Sequence, residues 1–398
     1  MNASLLKKDT LFGFSSPATQ CEGGELESSW IYWWGMGNIA DRTAPALAAQ
    51  HWEHWREDVD LLSSLGVTAH RMGVDWTRVE PREGEFDHAA LAHYRDELSA
   101  LRETGIAVQV ELHHFTTPAW FEELGGFERE ENFSYYLRYI ETVIGALGPL
   151  CGEYLTFAEP NAYALGGWLG GGFPPGKNNL SRAYGVLTNL AVCHTEAYRL
   201  IHSYRQAMGW SGTRVSVSLR AHDFVPRGAG QLAQRAAELV RRSFFDAPLR
   251  AFAFGRSVLP MKYHRLLALG VYVDFLAIDW HGRAAVSTLR DSLPCRTDAA
   301  GECELGALLP FLASARAALP LPLSVTLRGV EDGVRAAYLA KALRLLHGST
   351  LPVSRCFYQG FTDGFEWLNG HSSRRGAVHV DFETQERTVK PEIGQLLL

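Results

Sequence analysis

Residues 153–160 read EYLTFAEP: a short, mostly apolar run that ends in a glutamate and a proline. A run of this length, rich in aromatic and branched residues, reads as a strand buried on both faces, as in a parallel sheet. The proline ends the strand and leaves Glu159 at its C-terminal tip. Runs of the same kind recur on either side. They are LFGFSS (11–16), TAHRMGVDW (68–76) and AVQVELHHF (107–115) before it, and VSVSLRA (215–221), DFLAIDWH (274–281), LPLSVTLRG (321–329) and SRCFYQGF (354–361) after it. Helical patterns lie between them. In REDVDLLSSLG, Val59, Leu62 and Leu65 share a face; Asp87 is placed to cap a helix carrying Leu91, Tyr94, Leu98 and Leu101; and Tyr338, Ala342 and Leu345 align in GVRAAYLAKALRLLHG, with Gly348 after its end. Eight strands alternating with helices predict an α/β fold, a (β/α)8 TIM barrel. No linker, low-complexity tract or composition break interrupts the pattern, so residues 1–398 read as a single barrel domain.

Composition narrows the function classes. The chain has a net charge of −6 and no long basic run, which argues against nucleic acid or an anionic membrane as partner. No stretch approaches the roughly 20 apolar residues of a membrane span, and the start, MNASLLKKDTLFGF, lacks an apolar signal core. The expected setting is cytoplasmic. Cys21, Cys151, Cys193, Cys295, Cys303 and Cys356 show no metal spacing and read as reduced thiols, Cys295 and Cys303 being the pair that could bridge a loop. No cofactor or metal is expected, because adjacent His113 and His114 point to opposite faces of their strand. Oligomeric state is not legible.

In a barrel of this kind chemistry sits at the C-terminal strand ends. There Glu159 is a candidate general acid or base. Gln20 and Glu22 follow the first strand, and Arg71 and Asp75 share a face of the second. His113 and His114 close the third, Asp279 and His281 share a face of the sixth, and Glu366 and Trp367 follow the eighth. Each alone is more often structural. Together, carboxylates, imidazoles and an indole on one rim suit a small polyhydroxylated ligand.

These segments carry a resemblance to glycoside hydrolase family 1, the β-glucosidase group. FGFSSPATQCEGG, LGVTAHRMGVDWTRVEP, ELHHFTTPAWFEELGGF, TFAEP, GGGFPPG and DGFEWLNGHSSRRGAVHVDFETQERTVKP are similar, in order, to that family's motifs over nearly the whole chain. The resemblance implies retaining β-glycoside hydrolysis by two carboxyl groups about 5–5.5 Å apart. It maps the acid/base onto Glu159 and sugar-hydroxyl contacts onto Gln20, His114, Glu366 and Trp367. The family's nucleophile motif, Thr-Glu-Asn-Gly, aligns with TLRG, so Leu327 stands where the attacking glutamate belongs and Arg328 where the asparagine does. Other departures gather around the same centre. Ala158 replaces an Asn, Asp279 an Asn, His281 a supporting Tyr and Gln359 a platform Trp, and the segment between the sixth and seventh strands is short for the family.

Leucine cannot attack carbon, so the usual double displacement is not expected. Arg71 then needs another counter-charge, with Asp75 the nearest candidate and Asp279 the second. Three readings stay open. One is an enzyme using Glu159 as acid/base, without a protein nucleophile, at an acetal, ketal or glycosidic carbon of a sugar-like ligand, in cyclisation, dehydration, isomerisation or transfer; Arg328 could there recognise a carboxylate or phosphate. Another is a catalytically silent carbohydrate-binding protein. The third is a β-glycosidase with its carboxylate relocated to Asp279 or Asp75.

Overall fold

Each apolar run forms a parallel strand paired with its neighbours, and the last pairs with the first. In a computed structural model describing residues 7–292 and 303–397, β1 (Leu11–Ser16), β2 (Ala69–Gly73), β3 (Ala107–Glu111), β4 (Glu153–Ala158), β5 (Arg214–Pro226), β6 (Leu276–Val286), β7 (Leu323–Leu327) and β8 (Val353–Gln359) close into a barrel. Helices pack outside, and the aliphatic and aromatic core lies between them and the strands. Gly13 lets β1 approach β2, since a Cβ there would meet the Ala69 carbonyl oxygen at 1.5 Å. A short hairpin, β9 (Val378–Val380) with β10 (Arg387–Val389), precedes the C-terminal helix Pro391–Leu397.

Asp87 caps helix His88–Glu103 as expected, its carboxylate accepting from the amides of Ala89 and Ala90. Several boundaries differ from the sequence reading, and most of the strands are shorter than their apolar runs. Gly348 is the last residue of helix Arg335–Gly348 rather than the residue after it, and Ser349 turns into extended backbone instead. Strands β5 and β6 outrun their apolar cores. After a register shift near Gly282 (φ 74°) they continue as a two-strand ribbon, Asp223–Pro226 beside Arg283–Val286. A small cluster holds the ribbon down: Ala284 and Val286 pack with Ala237 and Val240 of helix Gln231–Arg241, and Phe224 lies against them.

The barrel interior is polar and layered. Lowest, Glu153 accepts from Gln109 Nε2 (2.6 Å), Arg355 Nε (3.1 Å) and Arg214 Nη1 (2.9 Å). Buried charge of this kind is tolerated only when its hydrogen bonds are filled, and here the strands fill them from several sides. The layers above it form the mouth.

Cys21, Cys151, Cys193 and Cys356 are buried free thiols, whereas Cys295 lies outside the described residues and with it the Cys295–Cys303 pairing. Among the described residues no helix is long and apolar enough to cross a membrane, and no group of three or more His, Cys, Asp or Glu has a geometry that could hold a metal ion.

Candidate active site

Register and alternation decide which side chains meet inside the barrel. Arg220 on β5 lies beside Asp279 on β6, which lies beside Thr326 on β7. This row faces inward, and from β2 the Arg71 guanidinium binds two of its members. Its Nη1 donates to Asp279 Oδ1 (2.8 Å) and Thr326 Oγ1 (2.7 Å), and its Nη2 to Ser218 Oγ (2.9 Å) and Asp279 Oδ2 (3.2 Å). Its Nε faces the Glu111 carboxylate. The counter-charge of Arg71 is therefore Asp279 and Glu111.

Asp75 does not reach Arg71. It is the N-cap of the short helix Trp76–Val79, accepting from the Thr77 amide (2.8 Å), and its other oxygen accepts from Thr19 (3.2 Å). Proximity along β2 misleads here because the strand ends at Gly73, so alternation no longer governs position 75. Glu111 goes unread in the sequence because the adjacent histidines draw attention. Two residues along the strand from Gln109, it shares that residue's inward face. Burial alone would raise its carboxyl, but Arg71 and then His114 hold it below the usual range. His114 Nδ1 lies 3.0 Å from Glu111 Oε2, while His113 is sealed among Phe127, Tyr136, Phe157 and Tyr163. Glu22 lies under Arg78 Nε (2.9 Å) and Tyr94 Oη (2.8 Å), and burial pushes its carboxyl up to about 7.

Glu159 occupies the rim. Pro160 opens the next helix, and Glu159 turns the chain into it with left-handed backbone (φ 49°, ψ 47°). Its carboxylate is buried. Oε1 lies 2.6 Å from His281 Nε2, and Oε2 accepts from Arg220 Nε (2.6 Å) and is paired with Arg220 Nη2. Burial, and then the guanidinium groups of Arg220, Arg328 and Arg375, holds the His281 imidazole well below its ordinary range. The ring is neutral, its Nε2–H donates to Glu159, and its buried Nδ1 has no protein partner. Arg220, unread as a site residue, had one sequence signal. An arginine two residues beyond Ser218 on a strand buried on both faces needs an anion.

A second inward row stands above the first. Trp280 pairs in register with Ala221 and with Leu327; His222 and His281 come next on β5 and β6, and Arg328 follows directly after the end of β7. The His222 and His281 rings are 5.6 Å apart, and the Arg328 amide donates to the Trp280 carbonyl (3.0 Å). Leu327 belongs to the outward face, fully buried in the core. On β7 it is Thr326, one residue earlier, that touches Arg71.

On the β8 and β1 side, Gln20, Gln359 and Glu366 line a cleft of about 20 Å³, room for roughly one water. Gln20 Nε2 donates to the Phe365 carbonyl (2.9 Å), and its buried Oε1 is unpartnered. Trp367 stacks near His114 (5.7 Å), and its Nε1 is likewise without a partner, as is His114 Nε2. Burial raises the Glu366 carboxyl against the pull of Arg375 and Arg328. These open atoms are donors and acceptors of the kind hydroxyl groups fill.

Residues 2–256 match the model of glycosyl hydrolase family 1. The matched stretch spans β1 to β5 and Glu159; β6 to β8 lie beyond it. A β-glucosidase of Agrobacterium sp. is 26% identical, the alignment covering 96% of this chain and 92% of that one. A chloroplastic galactolipid galactosyltransferase of Arabidopsis thaliana is 25% identical over 83% of this chain and 54% of its own length. A solved β-glycosidase of Pyrococcus horikoshii superposes with a TM-score of 0.85 at 28% identity, covering 98% of this chain and 94% of that one.

Proposed function

The chain belongs to glycosyl hydrolase family 1, and from that premise we propose that it acts on an acetal, ketal or glycosidic carbon of a sugar-like ligand without a protein nucleophile. Glu159 carries the proton, and neutral His281 positions its carboxylate. The observation that supports this reading is the allocation of carboxylates at the mouth. Asp279, the carboxylate a relocated mechanism would use, is held bidentate by Arg71 and shared with Ser218 (2.7 Å). Asp75 caps a helix. Glu159 stands at the rim with one oxygen against the His281 imidazole and the other on Arg220. A pocket that stabilises developing positive charge at such a carbon also serves attack by a substrate hydroxyl, dehydration, isomerisation or transfer. The transferase among the relatives is in keeping with chemistry other than hydrolysis.

The test is a panel of aryl β-glycosides, with and without azide, beside Glu159→Gln. Turnover only with azide is the expected result, because azide replaces an attacking group that the protein lacks. Turnover without azide that disappears in Glu159→Gln means a carboxylate of the protein has taken over, and the reading fails. The Arg220 salt bridge on Glu159 favours a second reading, a silent sugar-binding protein. Its signature is sugar binding indifferent to Glu159→Gln, with no turnover even with azide.

A further inference from the structure

Beside Glu159, strands β5 and β6 bring two buried imidazoles together. His222 follows Arg220 by two residues on β5, and its ring lies 5.6 Å from that of His281 on β6. Their exposures are 1% and 3%. Both nitrogens of His222 and Nδ1 of His281 have no protein partner, while His281 Nε2 is on Glu159. His70 and His113 are also buried without partners, but His113 is walled in by aromatic rings and His70 lies on the face of β2 away from Arg71. The surroundings of His222 are those of the mouth, with His281, Arg220, Arg328 and Glu159 the titratable groups about it.

An unfilled buried polar atom is costly, so nitrogens left open beside a catalytic group mark where a ligand completes the bonding. What can fill them follows from their protons. His281 uses its N–H on Glu159, so its Nδ1 presents a lone pair and requires a donor. Burial, and then His281, Arg220 and Arg328, hold the His222 ring neutral, so it offers one N–H and one lone pair. Hydroxyl groups, each a donor and an acceptor at once, are the counterpart of such a set. A carboxylate or phosphate answers only the N–H, and an alkyl or aryl group answers none of these atoms. An ammonium would donate to the lone pairs but stand against the Arg220 guanidinium.

We propose that the group on the Glu159 side of the reacting carbon, the ligand's aglycone, is a polyol with vicinal hydroxyls, one donating to His281 Nδ1 and the next accepting from the His222 N–H. Its position follows from the shared ring. Nε2 and Nδ1 lie on different edges of one imidazole, so a hydroxyl on Nδ1 is a ring's width from the Glu159 carboxylate, a few bonds along the aglycone from the oxygen that Glu159 serves. The open atoms of Gln20, His114 and Trp367 remain for the sugar's own hydroxyls. The inference rests on the reading of Glu159 as the acid/base beside the reacting carbon.

Calorimetric titration of the full chain with glyceryl, 3-hydroxypropyl and propyl β-D-glucosides tests it. The compounds share a sugar and a propyl skeleton, and carry a vicinal diol, a single terminal hydroxyl or neither. Expected is binding of the glyceryl glucoside about 10-fold tighter than that of the propyl one, the contribution of two hydrogen bonds to groups otherwise orphaned, with the hydroxypropyl glucoside between them. In His222→Phe the glyceryl advantage should fall to about threefold, the share of the bond to His281. The wild-type series decides the matter if His222→Phe fails to fold. Equal affinity for the glyceryl and propyl glucosides overturns the inference and leaves the sugar pocket standing. Equal affinity for the glyceryl and hydroxypropyl compounds overturns the vicinal pair, and a full advantage kept by His222→Phe overturns the assignment to His222. If none of the compounds binds, both the inference and the sugar-pocket reading fall.

Discussion

Replacing Asp279 by Asn should cost the fold much less than replacing Arg71 by Met, although the two side chains form one ion pair. Arg71 faces two carboxylates, Asp279 and Glu111, all three buried. Asp279→Asn leaves one cation against one anion and keeps an oxygen for Arg71, so the loss is that of charge-assisted hydrogen bonds, about 1–3 kcal/mol. Arg71→Met leaves both carboxylates without their cation and also empties the bonds to Ser218 and Thr326. Breaking a buried pair from one side costs about 3–5 kcal/mol, and here two anions are stranded. In the Arg71→Met background Asp279→Asn should relieve repulsion, so the double variant is less damaged than the sum by on the order of 1–3 kcal/mol. Urea unfolding followed by tryptophan fluorescence measures all three, compared at a common slope. Additive losses, or an Asp279→Asn loss as large as that of Arg71→Met, would refute the assignment of Asp279 as counter-ion. An Asp279→Asn protein that is fully stable but inactive would instead restore it as a catalytic carboxylate.

Three further outcomes follow from the same geometry. Leu327→Glu should destabilise the chain by several kcal/mol and bring no glycosidase turnover, because position 327 faces the core with Trp280 while Thr326 faces Arg71; a gain of aryl glucoside hydrolysis would sink this. Burial pushes His70 down to about 4 and His113 to about 3, so both stay neutral in the fold but protonate in the unfolded chain below about 6.5. Stability should therefore hold above about pH 6.5 and decline as pH falls towards 4, by on the order of 3 kcal/mol for His70 alone, and His70→Leu should flatten that slope in a series of thermal melts. Asp87→Ala should cost about 1 kcal/mol through loss of its two amide hydrogen bonds, and Asp87→Asn should recover most of that in the same melts.

The barrel is legible because eight short strand-like runs, each with an apolar face for the surrounding helices, alternate with helical patterns along the chain. Glu159 is legible for a related reason, since the proline behind it fixes where its strand stops. What escapes a reading of single strands is pairing across them. Arg220 and Glu111 sit in quoted runs, yet their meaning lies in Glu159 and Arg71 on other strands, 61 residues away in one case. Asp75 illustrates the converse. Its spacing from Arg71 is right, but the strand ends between them, and a helix start claims the carboxylate.

Strands β6 and β7 divide their labour by parity. Trp280 and Leu327 face the core, Trp280 meeting Phe311 of helix Leu308–Ala318, while Asp279, His281, Thr326 and Arg328 serve the lumen. Rim chemistry and hydrophobic packing thus draw on disjoint sets of positions. A lineage could exchange an amide for a guanidinium at 328, or a phenol for an imidazole at 281, without the surrounding helices sensing the substitution. On such a scaffold catalytic identity can drift while architecture stands still, and the same two strands offer an engineer a place to write new reactivity without repacking the protein.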